Sequence, residues 1–288
     1  MSPNVTGALF MMASMVAFVC NDSFLRLTGG DIPLFQLIFI RSVLGSLLIF
    51  VLAYAMGALK GRLTAADRRI VVLRGLAEIL TAYFFLNALF EMPLGNLNAI
   101  MQVVPLTVTL GAALVYREPV GWRRMLAILI GLGGVLIIIR PGPDGFNLWS
   151  LYALAAVVGV TVRDLLTRRL SASAPGLKVT LGTSLAMMTA AGLASTTQAW
   201  VPVSSGNAAL IVGSAGFVCA GYFFSIQVMR TGDVSFIAPF RYTGLVVAMI
   251  VGYLVFSEVP TVLTLVGAGI VIATGVFTFY RERQLSRR

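Results

Sequence analysis

Long apolar runs fill almost the whole chain, and only short breaks of charged residues, proline and glycine separate them. A helix needs about 20 apolar residues to cross the roughly 30 Å hydrocarbon core of a bilayer. Ten such runs fit into the 288 residues, which leaves no room for a separate soluble domain. They lie near residues 5–25, 32–56, 70–90, 97–116, 122–139, 148–166, 179–200, 208–229, 234–256 and 262–280. The sequence therefore predicts an all-α membrane protein with ten transmembrane helices.

The positions of lysine and arginine predict the side of the membrane on which the termini lie. With ten spans and the N-terminus inside, 17 of the 21 basic residues fall on cytoplasmic loops or adjoining helix ends. Only Arg26 and Arg140 fall outside. Because cytoplasmic loops carry an excess of Lys and Arg, we expect both termini in the cytoplasm and the chain in a bacterial-type inner membrane. The net charge of +10 is thus a topology signal, and nucleic acid is not an expected partner.

Three short patterns recur about 140 residues apart, which indicates a duplication of five spans. The second copy of an odd number of spans enters the membrane from the other side, as in the inverted repeats of many secondary transporters. We expect residues 1–140 and 141–288 to form the two halves, with a solute bound near the midplane between them. The patterns are Ala82-Tyr83-Phe84-Phe85 with Gly221-Tyr222-Phe223-Phe224, Asp22 and Arg26 with Asp164 and Arg168, and Glu118-Pro119 with Glu258 and Pro260.

Several features together resemble the EamA type of the drug/metabolite transporter superfamily. They are the ten-span layout, Arg41 inside span two, the Glu118-Pro119 turn, glycine-rich fifth and tenth spans, and the stretch from Ala238 to Glu258. The resemblance covers the whole chain and implies an alternating-access carrier with a cavity lined by spans one to four and six to nine. It favours export of amino acids, including aromatic ones. The alternative is uptake or exchange of S-adenosylmethionine or a similar metabolite.

Four charged residues within the spans are candidates for function, because an ionised group at the centre of a bare helix costs about 2.5–3.5 kcal/mol. Arg241 is either a carboxylate clamp for the solute or a structural partner of Glu78. Glu78 either contacts solute or protons, or pairs with Arg74 one turn away. Asp22 is expected to pair with Arg26 at i+4. For Arg41, the family position implies a structural or gating role.

A polar stripe marks span four, where Asn98, Gln102, Pro105 and Thr109 fall on one helical face. The stripe either lines a wet cavity or holds helices together, and Pro105 should loosen the backbone there. The repeat offset places Gln102 opposite Arg241. Tyr83 and Tyr222 offer aromatic faces with hydroxyl tips to an amphipathic solute, or else pack helices. Tyr242 joins this candidate solute-binding set, and Pro239 joins the gating or structural set.

Other classes of function fit the sequence less well. The chain lacks the Gly-rich phosphate loop of ATP-driven pumps. An intramembrane lipid-modifying enzyme, the main alternative of a different class, needs a metal cluster or a nucleophile with its base, and the chain has no histidine. We therefore expect no cofactor, no metal and no catalytic residue. The glycines of spans five and ten should pack helices, in a monomer or a homodimer.

Overall fold

The computed structural model describes residues 2–60, 63–118, 120–139, 148–171, 174–231 and 234–286. These residues form α-helices and two short 3-10 segments, Ala58–Lys60 and Ala238–Tyr242, with no strand among them. The helices are α1 Pro3–Arg26, α2 Leu34–Ala55, α3 Ala65–Glu91, α4 Leu94–Met101, α5 Val104–Tyr116, α6 Trp122–Ile139, α7 Leu148–Arg168, α8 Gly176–Ser195, α9 Ser205–Arg230, α10 Val234–Ile237, α11 Thr243–Phe256 and α12 Val262–Ser286.

Ten helical stretches are long and apolar enough to cross a membrane, which confirms the predicted all-α architecture. Helices α4 and α5 together make span four, and Ala238–Phe256 makes span nine. Large apolar side chains such as Leu47, Leu80 and Leu254 are more than half exposed, as expected where lipid replaces water around the helices. We call the side on which α1 begins and α12 ends the terminal face, and the other side the opposite face.

The helices pack in the pattern that an inverted repeat requires. Span one (α1) lies along span eight (α9), and span three (α3) lies along span six (α7). Span two packs on span seven, span four on span nine, and span five on span ten. A twofold axis that exchanges spans one to five with spans six to ten turns the contact between spans one and eight into the contact between spans six and three. The same axis leaves the contacts two–seven, four–nine and five–ten unchanged. Ten helices therefore form two inverted five-helix repeats.

Backbone angles fix the register of the two copies. Arg117 and Ser257 end α5 and α11 in the left-handed region, with φ 54° and ψ 31° against φ 55° and ψ 30°. Gln102 has φ −68° and ψ −9°, and Tyr242 has φ −68° and ψ −11°. Gln102 is therefore the counterpart of Tyr242, and the expected match with Arg241 is wrong by one residue.

Span four is not a continuous helix, because α4 ends at Met101 and α5 begins at Val104. Pro105 has no N–H to donate to the carbonyl of Met101, four residues earlier, and this missing bond accounts for the break. The side-chain amide of Asn98 donates to the carbonyl of Leu94 in its own helix at 3.1 Å and so does not join a continuous polar face. The predicted loosening at Pro105 is thus present, whereas the single polar face is interrupted. In span nine, Pro239 lies within the 3-10 segment.

The end of span seven differs from the predicted one. Span seven was predicted to reach Trp200, but α8 ends at Ser195. The chain beyond it forms turns over residues 196–198, and the amide of Gln36 then bonds both the N–H and the carbonyl of Val201, at 3.0 and 2.8 Å. Pro119, in the predicted turn after span four, lies outside the described residues. The glycines behave as predicted, since Gly134 and Gly267 let α6 and α12 approach closely within one chain.

Candidate solute cavity between the two halves

A cavity with three charged lining residues lies between spans two, three, seven and eight, and its empty space of about 520 Å³ includes open solvent at its mouth. Glu78 is the middle residue of the 27-residue helix α3, so this wall of the cavity lies near the middle of span three. This is the depth at which an inverted-repeat carrier is expected to bind its solute. The lining residues are Arg41, Ser42, Gly45, Ile49, Arg74, Glu78, Thr180, Thr183, Ser184, Met187, Val218 and Tyr222.

The charged lining comes from the first half of the chain. Arg74 and Glu78 are four residues apart and share one face of α3, while Arg41 reaches the cavity from α2. The Nε atom of Arg74 is buried without a hydrogen-bond partner among the described residues. Buried donors in folded proteins are nearly always paired, so this guanidinium is available to an acceptor that enters the cavity.

Glu78 has a partner that the sequence pattern did not suggest. Its carboxylate accepts from Arg163 of α7 at 3.2 Å, and Arg163 also donates to the neighbouring Asp164 at 2.9 Å. Within the described residues Glu78 forms no salt bridge with Arg241, so that structural alternative is wrong. Arg74 interacts electrostatically with Glu78 but does not form its salt bridge. Arg163 is one of the 17 basic residues that the charge pattern assigns to cytoplasmic loops and adjoining helix ends. Arg163 lies five residues before the end of α7, roughly 7 Å along the helix axis. This depth within the span is the sequence feature that could have indicated a role in the cavity.

The expected pair between Asp22 and Arg26 is also wrong. Arg26 pairs with Glu258 at 2.5 Å and lies 4.6 Å from the centre of the Phe256 ring. Asp22 accepts instead from the amide of Asn21 at 2.9 Å. Tertiary contact with the end of span nine therefore outweighs the local i, i+4 spacing.

Four of the predicted solute-binding residues lie elsewhere, on spans four and nine. We call Asn98, Gln102, Arg241 and Tyr242 the four–nine seam. None of them lines the cavity. Gln102 and Tyr242 are buried, with 6% and 4% exposure, and the Tyr242 hydroxyl lies against Gly275 of α12. Arg241 is half-buried and forms no ion pair with the described residues.

The two repeat-related tyrosines lie at mirrored depths. Tyr83 is eight residues from the end of α3 at the opposite face, and Tyr222 is eight residues from the end of α9 at the terminal face. Tyr222 lines the cavity and meets the ring of Phe18 edge-on at 5.5 Å. Tyr83 instead joins an aromatic cluster with Phe35 and Tyr152, both at 6.1 Å. Only one of the pair therefore contacts the cavity.

The cavity combines groups that suit a solute with both charges and an apolar part. Guanidinium forks bind carboxylates with fixed geometry, and a carboxylate can receive an ammonium group. The Thr183 hydroxyl donates to the carbonyl of Val179 and the Ser184 hydroxyl is paired with Ser46, so each retains lone pairs that can accept from a polar solute. Met187 and Tyr222 supply apolar and aromatic surface. The described residues contain no cluster of ligands that could hold a metal ion.

Comparison with known proteins gives the family. Residues 5–140 match the EamA-like transporter family. A S-adenosylmethionine uptake transporter of Rickettsia conorii is 26% identical over 99% of this chain and 96% of its own length. A riboflavin transporter of Vibrio cholerae is 30% identical over 69% of this chain and 67% of its own length. A pseudopaline exporter of Pseudomonas aeruginosa is 22% identical over 97% of both chains.

A solved crystal structure has the same fold, with a TM-score of 0.66 over 97% of this chain and 98% of that one, at 17% identity. The named relatives are transporters, which removes the membrane-enzyme alternative. The chain therefore belongs to the EamA-like transporter family of the drug/metabolite transporter superfamily and is a multi-pass membrane transporter of small metabolites.

Proposed function

We propose that this transporter carries a metabolite with an α-amino-acid headgroup and a ring, and that S-adenosylmethionine is the leading candidate. The observation that carries the proposal is the cavity beside the middle of span three, where Arg41 and Arg74 lie with Glu78. In this arrangement the solute carboxylate binds the guanidinium groups, and the ammonium group faces Glu78. Both ends of the zwitterion are then matched on leaving water, as burial of charge requires.

The lining next to Tyr222 supports a solute with an aromatic ring. Phe18 holds the Tyr222 ring edge-on, and Met187 lines the same cavity. An aromatic face also attracts cations, which suits the sulfonium group of S-adenosylmethionine. The full-length relatives that take up S-adenosylmethionine favour this solute over a simple amino acid.

A second candidate is the export of amino acids, including aromatic ones, as the family resemblance first suggested. The same carboxylate and ammonium contacts serve a free amino acid, and Tyr222 would then face its side chain. The exporter among the relatives shows that transport in the outward direction occurs in similar proteins. Asn98, Gln102 and Arg241 remain candidates for contacts made by the solute as it passes the four–nine seam.

Counterflow into proteoliposomes tests both candidates. Vesicles loaded with unlabelled S-adenosylmethionine should accumulate labelled S-adenosylmethionine from outside, and excess methionine, phenylalanine or riboflavin should compete more weakly. Vesicles with Arg41→Gln protein should accumulate little, whereas vesicles with Lys60→Gln protein, altered at an exposed loop position, should match the wild type. Accumulation of phenylalanine but not of S-adenosylmethionine would replace the first candidate by the second.

We also propose a bacterial-type inner membrane with both termini in the cytoplasm, supported by the distribution of basic residues. Reporter fusions at each terminus and in the loop between Lys60 and Arg69 should give cytoplasmic signals. A periplasmic signal from either terminus would contradict this orientation.

A further inference from the structure

Two glutamate–arginine pairs lie at opposite faces of the membrane. The opposite-face pair joins Arg26, at the end of span one, to Glu258 after span nine, at 2.5 Å. The terminal-face pair joins Arg168, at the end of span six, to Glu118 after span four, at 3.4 Å. Span six is the copy of span one, and span nine is the copy of span four. Each pair is therefore the symmetry mate of the other.

The same backbone turn presents both carboxylates. Each glutamate follows the left-handed residue that ends its helix. The N–H of Glu118 donates to the carbonyl of Ala112 at 3.4 Å, and the N–H of Glu258 donates to that of Gly252 at 2.9 Å. Differences between the two pairs therefore arise from their surroundings and not from local backbone geometry.

The opposite-face pair is closed and largely shielded. The side chains of Arg26 and Glu258 are 15% and 18% exposed, and Arg26 lies over the ring of Phe256. The second carboxylate oxygen of Glu258 accepts from the backbone N–H of Leu94, at the start of span four, at 2.8 Å. Hydrogen bonds to an ionised acceptor are about twice as strong as neutral ones, so this face is held firmly.

The terminal-face pair is loose and open to its surroundings. The side chains of Arg168 and Glu118 are 45% and 53% exposed. Both contacts between them are 3.4 Å, longer than a well-formed charged hydrogen bond. The symmetry counterpart of Leu94 is Val234, the first residue of α10, which leads into span nine.

The bond from Glu258 to Leu94 crosses between two groups of helices. Span one packs on spans eight and nine, and span six packs on spans three and four. The inverted repeat exchanges these two groups. Glu258 belongs to the first group with Arg26, while Leu94 belongs to the second. Rocking of one group against the other must break this bond when the opposite face opens.

We propose that Glu258 and Glu118 are the alternating closures of the transport cycle, each held in position by its arginine. Glu258 keeps the opposite face shut in the state described here. In the other state Glu258 releases the N–H of Leu94. Glu118 then forms a shorter ion pair with Arg168 and closes the terminal face by accepting the N–H of Val234. The proposal rests on transport by alternating access and not on the identity of the solute.

Distances between spin labels test the proposal without any solute. Two double-cysteine chains, with Cys20 and Cys219 replaced by alanine, carry nitroxides across one face each. Leu27→Cys with Glu91→Cys reports on the opposite face, and Val5→Cys with Ala66→Cys reports on the terminal face. All four label positions are exposed. The comparison uses Glu258→Gln, Glu118→Gln and, as a matched control, Asp31→Asn, which removes an exposed charge near the opposite face.

Glu258→Gln should lengthen the opposite-face distance and shorten the terminal-face distance. The ratio of the two states should change by roughly 10- to 100-fold, the range for losing a hydrogen bond to a charged group. Glu118→Gln and Asp31→Asn should keep the wild-type opposite-face distance. The charge swap Arg26→Glu with Glu258→Arg should not restore it, because an arginine at position 258 cannot accept the N–H of Leu94. If Glu258→Gln does not purify as a monodisperse protein, Arg26→Gln must shift the distances in the same direction.

Unchanged distances in Glu258→Gln or its substitute Arg26→Gln would overturn the proposal. So would an equal shift in Asp31→Asn, because a general charge effect would then explain the result. Opening of the opposite face in Glu118→Gln would contradict the symmetric roles. Because no solute is added, failure of the proposed S-adenosylmethionine transport would leave the distances unaffected.

Discussion

The cavity and the four–nine seam both contain polar side chains where the two halves meet, yet they use those side chains differently. In the cavity, Arg74 keeps a buried donor without a partner among the described residues. In the seam, the amide of Asn98 is bound by its own helix, and Tyr242 is packed against Gly275. A polar residue within a span can thus be satisfied by its own helix or by packing, and only convergence of several such residues on open space marks a candidate site.

A second contrast lies within the cavity itself. The first half supplies its charged lining, Arg41, Arg74 and Glu78, whereas the second half supplies hydroxyls and Tyr222. The backbone is close to symmetric, but the chemistry of the lining is not. A zwitterion in this cavity is therefore expected to bind in one orientation, with its charged end toward spans two and three.

The largest effect should come from Arg74→Gln. A buried partner of a charged pair is worth about 2–5 kcal/mol, so initial transport in proteoliposomes should fall by roughly 30-fold or more. Arg69→Gln, on the exposed surface of the same helix, is the matched control and should transport normally. A rate within about threefold of wild type for folded Arg74→Gln protein would remove this residue from the site.

Tyr222→Leu should have an intermediate effect that depends on the solute. Loss of an aromatic contact worth about 0.5–1.5 kcal/mol should raise the half-saturating concentration of S-adenosylmethionine by roughly 2- to 13-fold. The value for methionine, which has no ring, should change less. Tyr253→Leu, at an exposed position of α11, serves as the control. Equal losses for both solutes would indicate a packing role for Tyr222.

Arg241→Gln separates the cavity from the seam. Arg241 is half-buried outside the cavity, so a transient contact with the solute should be worth less than about 1 kcal/mol. Counterflow should then fall by no more than about fivefold, with normal yield of folded protein. A loss as large as that of Arg74→Gln would move the solute site toward span nine.

The smallest effect on transport is expected for Gln102→Leu. The side chain is buried beside Gly244, and a substitution of similar volume should cost less than about 1.5 kcal/mol of stability. Transport per folded molecule should stay within about twofold of wild type, while thermal unfolding of the detergent-solubilised protein shifts. Lost transport with an unchanged unfolding temperature would indicate that Gln102 contacts the solute, as the polar stripe of span four first suggested.

The sequence by itself determined the class of the fold. Apolar runs of membrane length dictate helices, because an unpaired backbone polar group in lipid is too costly for any open alternative. Recurring patterns about 140 residues apart indicated the inverted repeat, and the packing of span one on span eight and span three on span six agrees with it. The position of Glu78 inside span three was also readable, since its distance from the ends of the apolar run follows from the sequence.

Only the tertiary structure decided which charges meet. Glu78 and Arg163 are 85 residues apart in the chain, and Arg26 meets Glu258 from the far end of the sequence, so no local spacing could predict either pair. The i, i+4 patterns that favoured Asp22 with Arg26 and Arg74 with Glu78 describe what one helix can do alone. In a bundle, a neighbouring helix that brings a carboxylate or a backbone amide within hydrogen-bonding distance provides the stronger partner, and the packing of the helices selects it.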